Sequence, residues 1–241
     1  MAAPTTPPGT SVYAIGDIHG RLDLLLRLHA LIAADAARSH AQRRVLVYIG
    51  DYIDRGPDSA GVIDLLLDRP LLDFEIVHLL GNHEDTLLQF PDDMTVGPSW
   101  LTYGGVQTLA SYLIEVQPGS WRDERELRRL QGEVRRRVPR RHVDFMRSLS
   151  LTHVEGDYLF VHAGIRPGIP LERQERDDLL WIRDEFLHSS EDHGKIVVHG
   201  HTISEVPELQ PNRIGIDTGA FHTDRLTCVV LDGTSTAFLH T

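Results

Sequence analysis

Residues 50–56 read "GDYIDRG", directly behind the apolar run "VLVYI" at 45–49. Such a run reads as a buried strand, and the charged cluster behind it as the loop in which the strand ends. Two carboxylates and a guanidinium at the mouth of a buried strand need a chemical reason. The pattern recurs. "SVYAI" runs into "GDIHG", "FEIVHLL" into "GNHE", "YLFV" into "HAG", "KIVV" into "HGHT" and "RIGI" into "DTGA". In "LTCVVLDGTSTAFLH" an Asp-Gly pair separates two strand-like runs, a hairpin signal.

Helical patterns lie between strands. Leu22, Leu25, Leu26, Ile32 and Ala36 put one apolar face on a helix over 21–37. Asp58 or Ser59 is the cap of a second helix, with Val62, Ile63, Leu66 and Leu67 behind it. Strand–helix–strand alternation predicts an α/β layered domain. Residues 91–150 break the rhythm and read as a helical insertion, with Pro139 at a helix start. Its arginines, in "WRDERELRRLQGEVRRRVPRRH", alternate with Asp and Glu and read as a solvated helix face.

The composition is ordinary for a soluble globular protein. The chain has 241 residues, 41% hydrophobic and 24% charged, enough for a sizeable core. No apolar run is long enough to span a membrane. The Pro/Thr-rich start "MAAPTTPPGT" lacks the apolar core of a secretion signal. It is expected to be a disordered arm over 1–10, leaving 11–241 as one domain. A net charge of −11 speaks against nucleic acid or an anionic membrane as partner. The one cysteine, Cys228, fits a reducing, cytoplasmic setting and reads as a small core residue. A cysteine phosphatase would need an arginine six residues on, where Thr234 stands.

The strand-end residues form a coherent set. They are Asp17 and His19, then Asp51, Asp54 and Arg55, then Asn82 and His83, then His162, then His199 and His201. In layered α/β folds, loops at the carboxyl ends of strands converge on one crevice. Carboxylates, imidazoles and an amide oxygen together suit Mn²⁺, Fe or Zn²⁺ rather than Ca²⁺. The ligands suffice for two ions, an arrangement suited to phosphate ester hydrolysis. A carboxylate shared between two ions would explain one of the aspartates.

"GDIHG", "GDYIDRGPDS", "GNHE", "VHAG" and "HGHT" resemble the motifs of the calcineurin-like metallophosphoesterase superfamily. Within it they look like the phosphoprotein phosphatases, in the bacterial and phage lambda-like branch of Ser/Thr protein phosphatases. The resemblance spans residues 16 to 202, and "RIGIDTGA" extends it. It implies two packed mixed β-sheets flanked by helices, with a dinuclear site at the strand ends. By motif position it implies Asp17, His19 and Asp51 on one metal. It implies Asp51, Asn82, His162 and His201 on the other, with Asp51 bridging. His83 would be the general acid, oriented by Asp54. Arg55 would hold the phosphate, joined by Arg183 from "LLWIRDEF".

The family motif is commonly "RGNHE"; here Leu80 takes the arginine's place, and Arg166 is the nearest substitute. Ile203 stands where broader metallophosphoesterases carry another histidine. His199 and His78 read as packed or supporting histidines, and His222 as a surface one. The implied activity is one-step hydrolysis of phosphoserine or phosphothreonine protein, water attacking phosphorus at two divalent ions, Mn²⁺ first. The alternative is the symmetrical dinucleoside tetraphosphate hydrolases, which share several of these motifs. They usually lack the aspartate matching Asp54, so its presence places the phosphoprotein reading first. A metal-binding scaffold without activity is the third reading.

Overall fold

The computed structural model describes residues 3–68, 71 and 73–241. Among these residues ten strands form two five-stranded sheets. In chain order they are β1 (Thr10–Ile15), β2 (Arg43–Tyr48), β3 (Glu75–His78), β4 (Thr152–Glu155), β5 (Tyr158–Val161), β6 (Ile196–His199), β7 (Glu208–Leu209), β8 (Arg213–Gly215), β9 (Thr227–Asp232) and β10 (Ser235–His240). The first sheet runs β10-β9-β1-β2-β3 and the second β4-β5-β6-β8-β7. Both are mixed. β1, β2 and β3 are parallel, as are β5, β6 and β8, with antiparallel strands outside them. This is the two-sheet α/β architecture expected.

Alternation along the strands builds the layers. Val12 and Ala14 of β1, and Val45 and Val47 of β2, face the second sheet, where they meet Phe160, Val198 and Ile214. Tyr13, Ile15, Leu46 and Tyr48 point the other way, onto helix α1 (Leu22–Ala36) and helix α2 (Ser59–Asp68). On the far side of the second sheet, Leu159, Val161 and Val197 pack under Leu179, Ile182 and Phe186. Central strands are therefore apolar on both faces, which is why they read as continuous apolar runs. Asp58 is the side chain that caps α2, accepting from the Gly61 N–H at 2.8 Å.

Residues 91–150 are helical in pieces, the longest being Glu124–Arg137 and Arg140–Arg147. Leu127, Leu130, Val134, Phe145 and Met146 join the core on the helical side of the first sheet. Several of the arginines outside pair within their own helix, Arg128 with Glu124, Arg129 with Glu126 and Arg137 with Glu133, while Arg135 pairs with Asp92 and Arg141 with Asp64 and Asp68. Cys228 is buried in β9, and burial pushes its thiol up, so it is a core residue.

The disordered arm expected over 1–10 is corrected for the residues described. Thr6 is buried; its N–H donates to Gly233 O at 3.1 Å and its hydroxyl to Thr10 O at 2.8 Å. The partner, Gly233, lies at the far end of the chain, so no local pattern announces the pairing. Residues 1 and 2 lie outside the described residues. Among the described residues no helix is long and apolar enough to cross a membrane.

Candidate metal centre

The loops leaving β1, β2, β3, β5 and β6 meet at the carboxyl ends of the two parallel strand sets. Of the eight non-glycine residues at positive φ among the described residues, five lie here: His19, Asp51, Asp54, Arg55 and His201. That backbone region is disfavoured for L-residues and survives where the surroundings over-determine it, as at functional sites. Gly50 precedes Asp51 at φ +103°, and a Cβ on it would lie 2.6 Å from the Gly81 nitrogen. A Cβ on Gly81 would lie 2.2 Å from Asp51 Oδ1. The second and third loops therefore touch backbone to backbone, and only glycine fits at the contact.

Glu84, from helix α3 (Asn82–Gln89), fastens that contact. Its Oε2 accepts from the N–H of Asp51 at 3.0 Å and of Gly81 at 3.1 Å. Its Oε1 accepts from Tyr52 at 2.8 Å and Ile53 at 3.2 Å. Burial, then the Asp51 charge, pushes this carboxyl up to about 8. Four N–H donors nonetheless occupy both oxygens, which is the pattern of an acceptor-only carboxylate. "GNHE" supplied Glu84, but nothing in its spacing disclosed this clamp.

Asp51 stands in the middle. His19 Nε2 lies 3.5 Å from its Oδ2, His83 Nε2 3.8 Å from Oδ2, and His162 Nε2 3.4 Å from Oδ1. Asn82 Oδ1 lies 2.8 Å from His162 Nε2 and 2.9 Å from His201 Nδ1. Two groups result, His19–Asp51–His83 and Asp51–His162–His201, each with its ligand atoms within 4.8 Å of one another. Asp51 belongs to both.

The proton positions test whether cations fit. His19 Nδ1 is 2.7 Å from Ile53 O, and His162 Nδ1 is 3.0 Å from Ile49 O. Carbonyls only accept, so both rings carry their proton on Nδ1 and present an Nε2 lone pair inward. Those lone pairs face carboxylate oxygens with no proton between them. His19 Nε2 and His201 Nε2 are buried without any hydrogen-bond partner. Acceptors aimed at acceptors in a buried pocket are unfavourable unless a cation lies between them. The mixture of imidazole nitrogen and hard oxygen suits a divalent transition ion.

The electrostatics agree. Burial holds the His19, His162 and His201 rings down, His201 to about 2, so they stay neutral and able to ligate. Burial opposes ionisation of Asp51, but the charge of the His83 ring, held up by the two carboxylates beside it, draws the Asp51 carboxyl below the usual range. Asp17 is pushed well up by burial, then by Asp217 and Asp51. Both its oxygens face the His201 N–H, at 3.3 and 3.1 Å. Asp217, in the "DTGA" loop behind β8, is raised to about 6 by burial. Its Oδ2 is buried and unpartnered. Crowded acids of this kind are relieved by cations.

Metal removal should therefore cost stability. Saturating Mn²⁺, at about a hundred times its Kd, should stabilise the fold by roughly 2.7 kcal/mol. For a chain of this size that is a Tm rise of about 5–10 °C, read by calorimetry with and without chelator. An unchanged Tm in both conditions would count against bound cations here.

Asp54 is held from three sides. Its Oδ2 accepts from His83 Nδ1 at 2.5 Å and Trp100 Nε1 at 2.8 Å, and its Oδ1 from Thr108 Oγ1 at 2.5 Å. Trp100 and Thr108 come from the helical insertion, so that region reaches the centre from behind. Sequence reasoning missed both, because a buried tryptophan and threonine look like ordinary core. Burial lowers the His83 ring's basicity, but Asp51 and Asp54 outweigh it, and the net direction is upward.

The arginines differ. Arg55 reaches the centre: its Nη2 lies 3.2 Å from His83 Nε2, and its guanidinium sits 4.8 Å over the Phe221 ring. Arg183 borders it, Nη1 donating to His201 O at 3.4 Å and Thr202 Oγ1 at 3.1 Å. Arg166 is not brought in. Its Nε donates to Asp178 Oδ2 at 2.7 Å, its Nη2 donates to the other oxygen at 2.5 Å, and its Nη1 lies 3.5 Å from Glu185. Its proximity to His162 along the chain was misleading because Asp178, twelve residues on, takes the guanidinium bidentately. Leu80, which stands where the resembling motif carries arginine, is buried. His199 packs edge-on against Phe186, His78 stacks on Tyr48, and His222 is exposed.

The calcineurin-like phosphoesterase family matches residues 10–231. Over 234 aligned residues the chain is 25% identical to an asymmetrical bis(5'-nucleosyl)-tetraphosphatase, PrpE, of Oceanobacillus iheyensis, covering 88% of this chain and 85% of that protein. It is 28% identical over 165 residues to a symmetrical bis(5'-nucleosyl)-tetraphosphatase of Nitrosomonas europaea, covering 68% of this chain and 48% of that protein. Among solved structures, "Crystal structure of a putative diadenosine tetraphosphatase" superposes with a TM-score of 0.59 at 21% identity, covering 99% and 98% of the two chains. With the two-sheet fold, and buried histidines and carboxylates gathered at its strand ends, the chain belongs to the calcineurin-like phosphoesterase family.

Proposed function

We propose that the chain is a metal-dependent hydrolase of dinucleoside polyphosphates, cleaving a phosphoanhydride bond with water. One observation carries the hydrolase chemistry: buried acceptor atoms of two groups that share Asp51. The choice of substrate rests on relatives named bis(5'-nucleosyl)-tetraphosphatases, one of them aligned over nearly the whole chain. The phosphoprotein reading, placed first from the motif around Asp54, therefore takes second place.

In this reading Asp17, His19 and Asp51 would hold one divalent ion, and Asp51, Asn82, His162 and His201 would hold the other, Mn²⁺ being the first to test. When bound, the ions supply Lewis-acid polarisation of the phosphoryl group and make water acidic enough to attack at neutral pH. The chain's own groups do the rest. Arg55 and Arg183 set planar, bidentate donors against the phosphoryl oxygens. His83 delivers a proton to the leaving oxygen, and Asp54, fixed by Trp100 and Thr108, keeps that ring in place.

The leaving group makes this testable. A phosphate oxygen leaving an anhydride is a far weaker base than a serine alkoxide and needs its proton less. His83→Asn should cost about tenfold on diadenosine tetraphosphate but roughly 10²–10⁴-fold on a phosphoserine peptide, the usual range for a lost general acid. Equal losses would remove His83 from the donor role. In the wild type, kcat/KM for diadenosine tetraphosphate should exceed that for the peptide. The reverse order would restore the protein phosphatase reading.

A further inference from the structure

A cleft of about 600 Å³ opens beside the centre. Trp181 and Arg183 both line it, and both border His201: the Trp181 ring is 6.2 Å from the His201 ring, edge to face, and Arg183 Nη1 reaches the His201 carbonyl. Trp181 ends the short helix Arg176–Trp181, whose Leu179 and Leu180 take the buried side, so the indole is turned outward. It is 48% exposed, while Trp100 is buried at 3%. An exposed indole in a cleft, next to a phosphate-directed centre, is apolar surface with nothing covering it.

The charge of the cleft restricts what it takes. Arg166 and Arg183 face four carboxylates, those of Asp177, Asp178, Asp184 and Glu185, and Arg166 is already spent on Asp178. A phosphate would be repelled there. A neutral, flat head bearing hydroxyl donors would not: its ring stacks on the indole, and its hydroxyls donate to carboxylates.

We propose that this cleft is the nucleoside subsite, with Trp181 stacking the base while the phosphates lie on the metal side of Arg183. The proposal rests on the dinucleoside polyphosphate reading of the centre. Trp181 is a specificity residue; it moves no proton and holds no metal.

Two measurements separate this subsite from the activity itself. The first is calorimetric titration of the Mn²⁺-loaded protein with ADP and with pyrophosphate. Trp181→Ala should weaken ADP binding roughly tenfold, the scale of one lost base-stacking contact. Pyrophosphate affinity should stay within about twofold, and Trp181→Phe should keep most of the ADP affinity. The second is turnover: Trp181→Ala should raise KM for diadenosine tetraphosphate about tenfold while its kcat stays within about twofold. Equal weakening of ADP and pyrophosphate, or of neither, overturns the subsite even if the tetraphosphate is cleaved. A Trp181 effect on a basic phosphopeptide but not on ADP also overturns it, and assigns the cleft to a peptide. If ADP binding depends on Trp181 but the tetraphosphate is not cleaved, the subsite stands and the proposed activity falls.

Discussion

Asp51→Asn should strip the protein of metal and lower hydrolysis by about a thousandfold, the upper scale for losing one central electrostatic group from a reacting centre. The reason is topological. Asp51 is the one side chain common to both groups of ligand atoms, with His19 and His83 against one oxygen and His162 against the other. Asparagine keeps the volume but replaces one oxygen with an NH₂ that can satisfy an inward lone pair in place of a cation. It also removes the charge that four imidazoles are arranged around. Metal content by emission spectroscopy and turnover with added Mn²⁺ are the readouts, with circular dichroism confirming the fold. Full metal content with near-normal turnover would show that Asp51 is not shared between ions.

Glu84→Ala should be the most destabilising single change at the site. It leaves the N–H groups of Asp51, Tyr52, Ile53 and Gly81 without an acceptor, all within buried backbone. Each orphaned buried donor costs about 1–3 kcal/mol, and partial rescue by water keeps the total below the sum. A loss of about 4 kcal/mol or more is expected, against a total stability on the order of 5–15 kcal/mol. Glu84→Gln keeps one acceptor oxygen and should fall between, which keeps the test informative if the alanine variant does not fold. Urea denaturation measures both. A loss under about 1 kcal/mol for alanine would mean the loops hold their shape without the clamp, contrary to the four bonds seen.

Much of the centre was legible along the chain because its residues stand just behind strands buried on both faces, and such strands announce themselves as apolar runs. The hairpin of β9 and β10 was legible for a similar reason: Gly233, at φ +56°, opens the two-residue turn Gly233–Thr234 between the paired Asp232 and Ser235. Other elements carried weaker signals. β4 has its apolar and polar residues in a half-exposed edge, and β7 is two residues long, too short for any period to register. The pieces of the helical insertion could be placed as helix, but not the face by which Trp100 and Thr108 reach Asp54.

What the sequence determined by itself was the layered class and which polar residues stand at the strand ends. Residue type and the step from apolar run to polar loop are local properties, and local pattern carries them. What only the tertiary structure decided was partnership. It drew Thr6 to Gly233, Arg166 to Asp178 rather than to the centre, Glu84 to four N–H groups of two loops, and Trp181 outward into the cleft. These are contacts between residues whose spacing along the chain bears no relation to their distance in space. Packing of two sheets selects among them, because a buried donor or charge must find its partner wherever the fold supplies one.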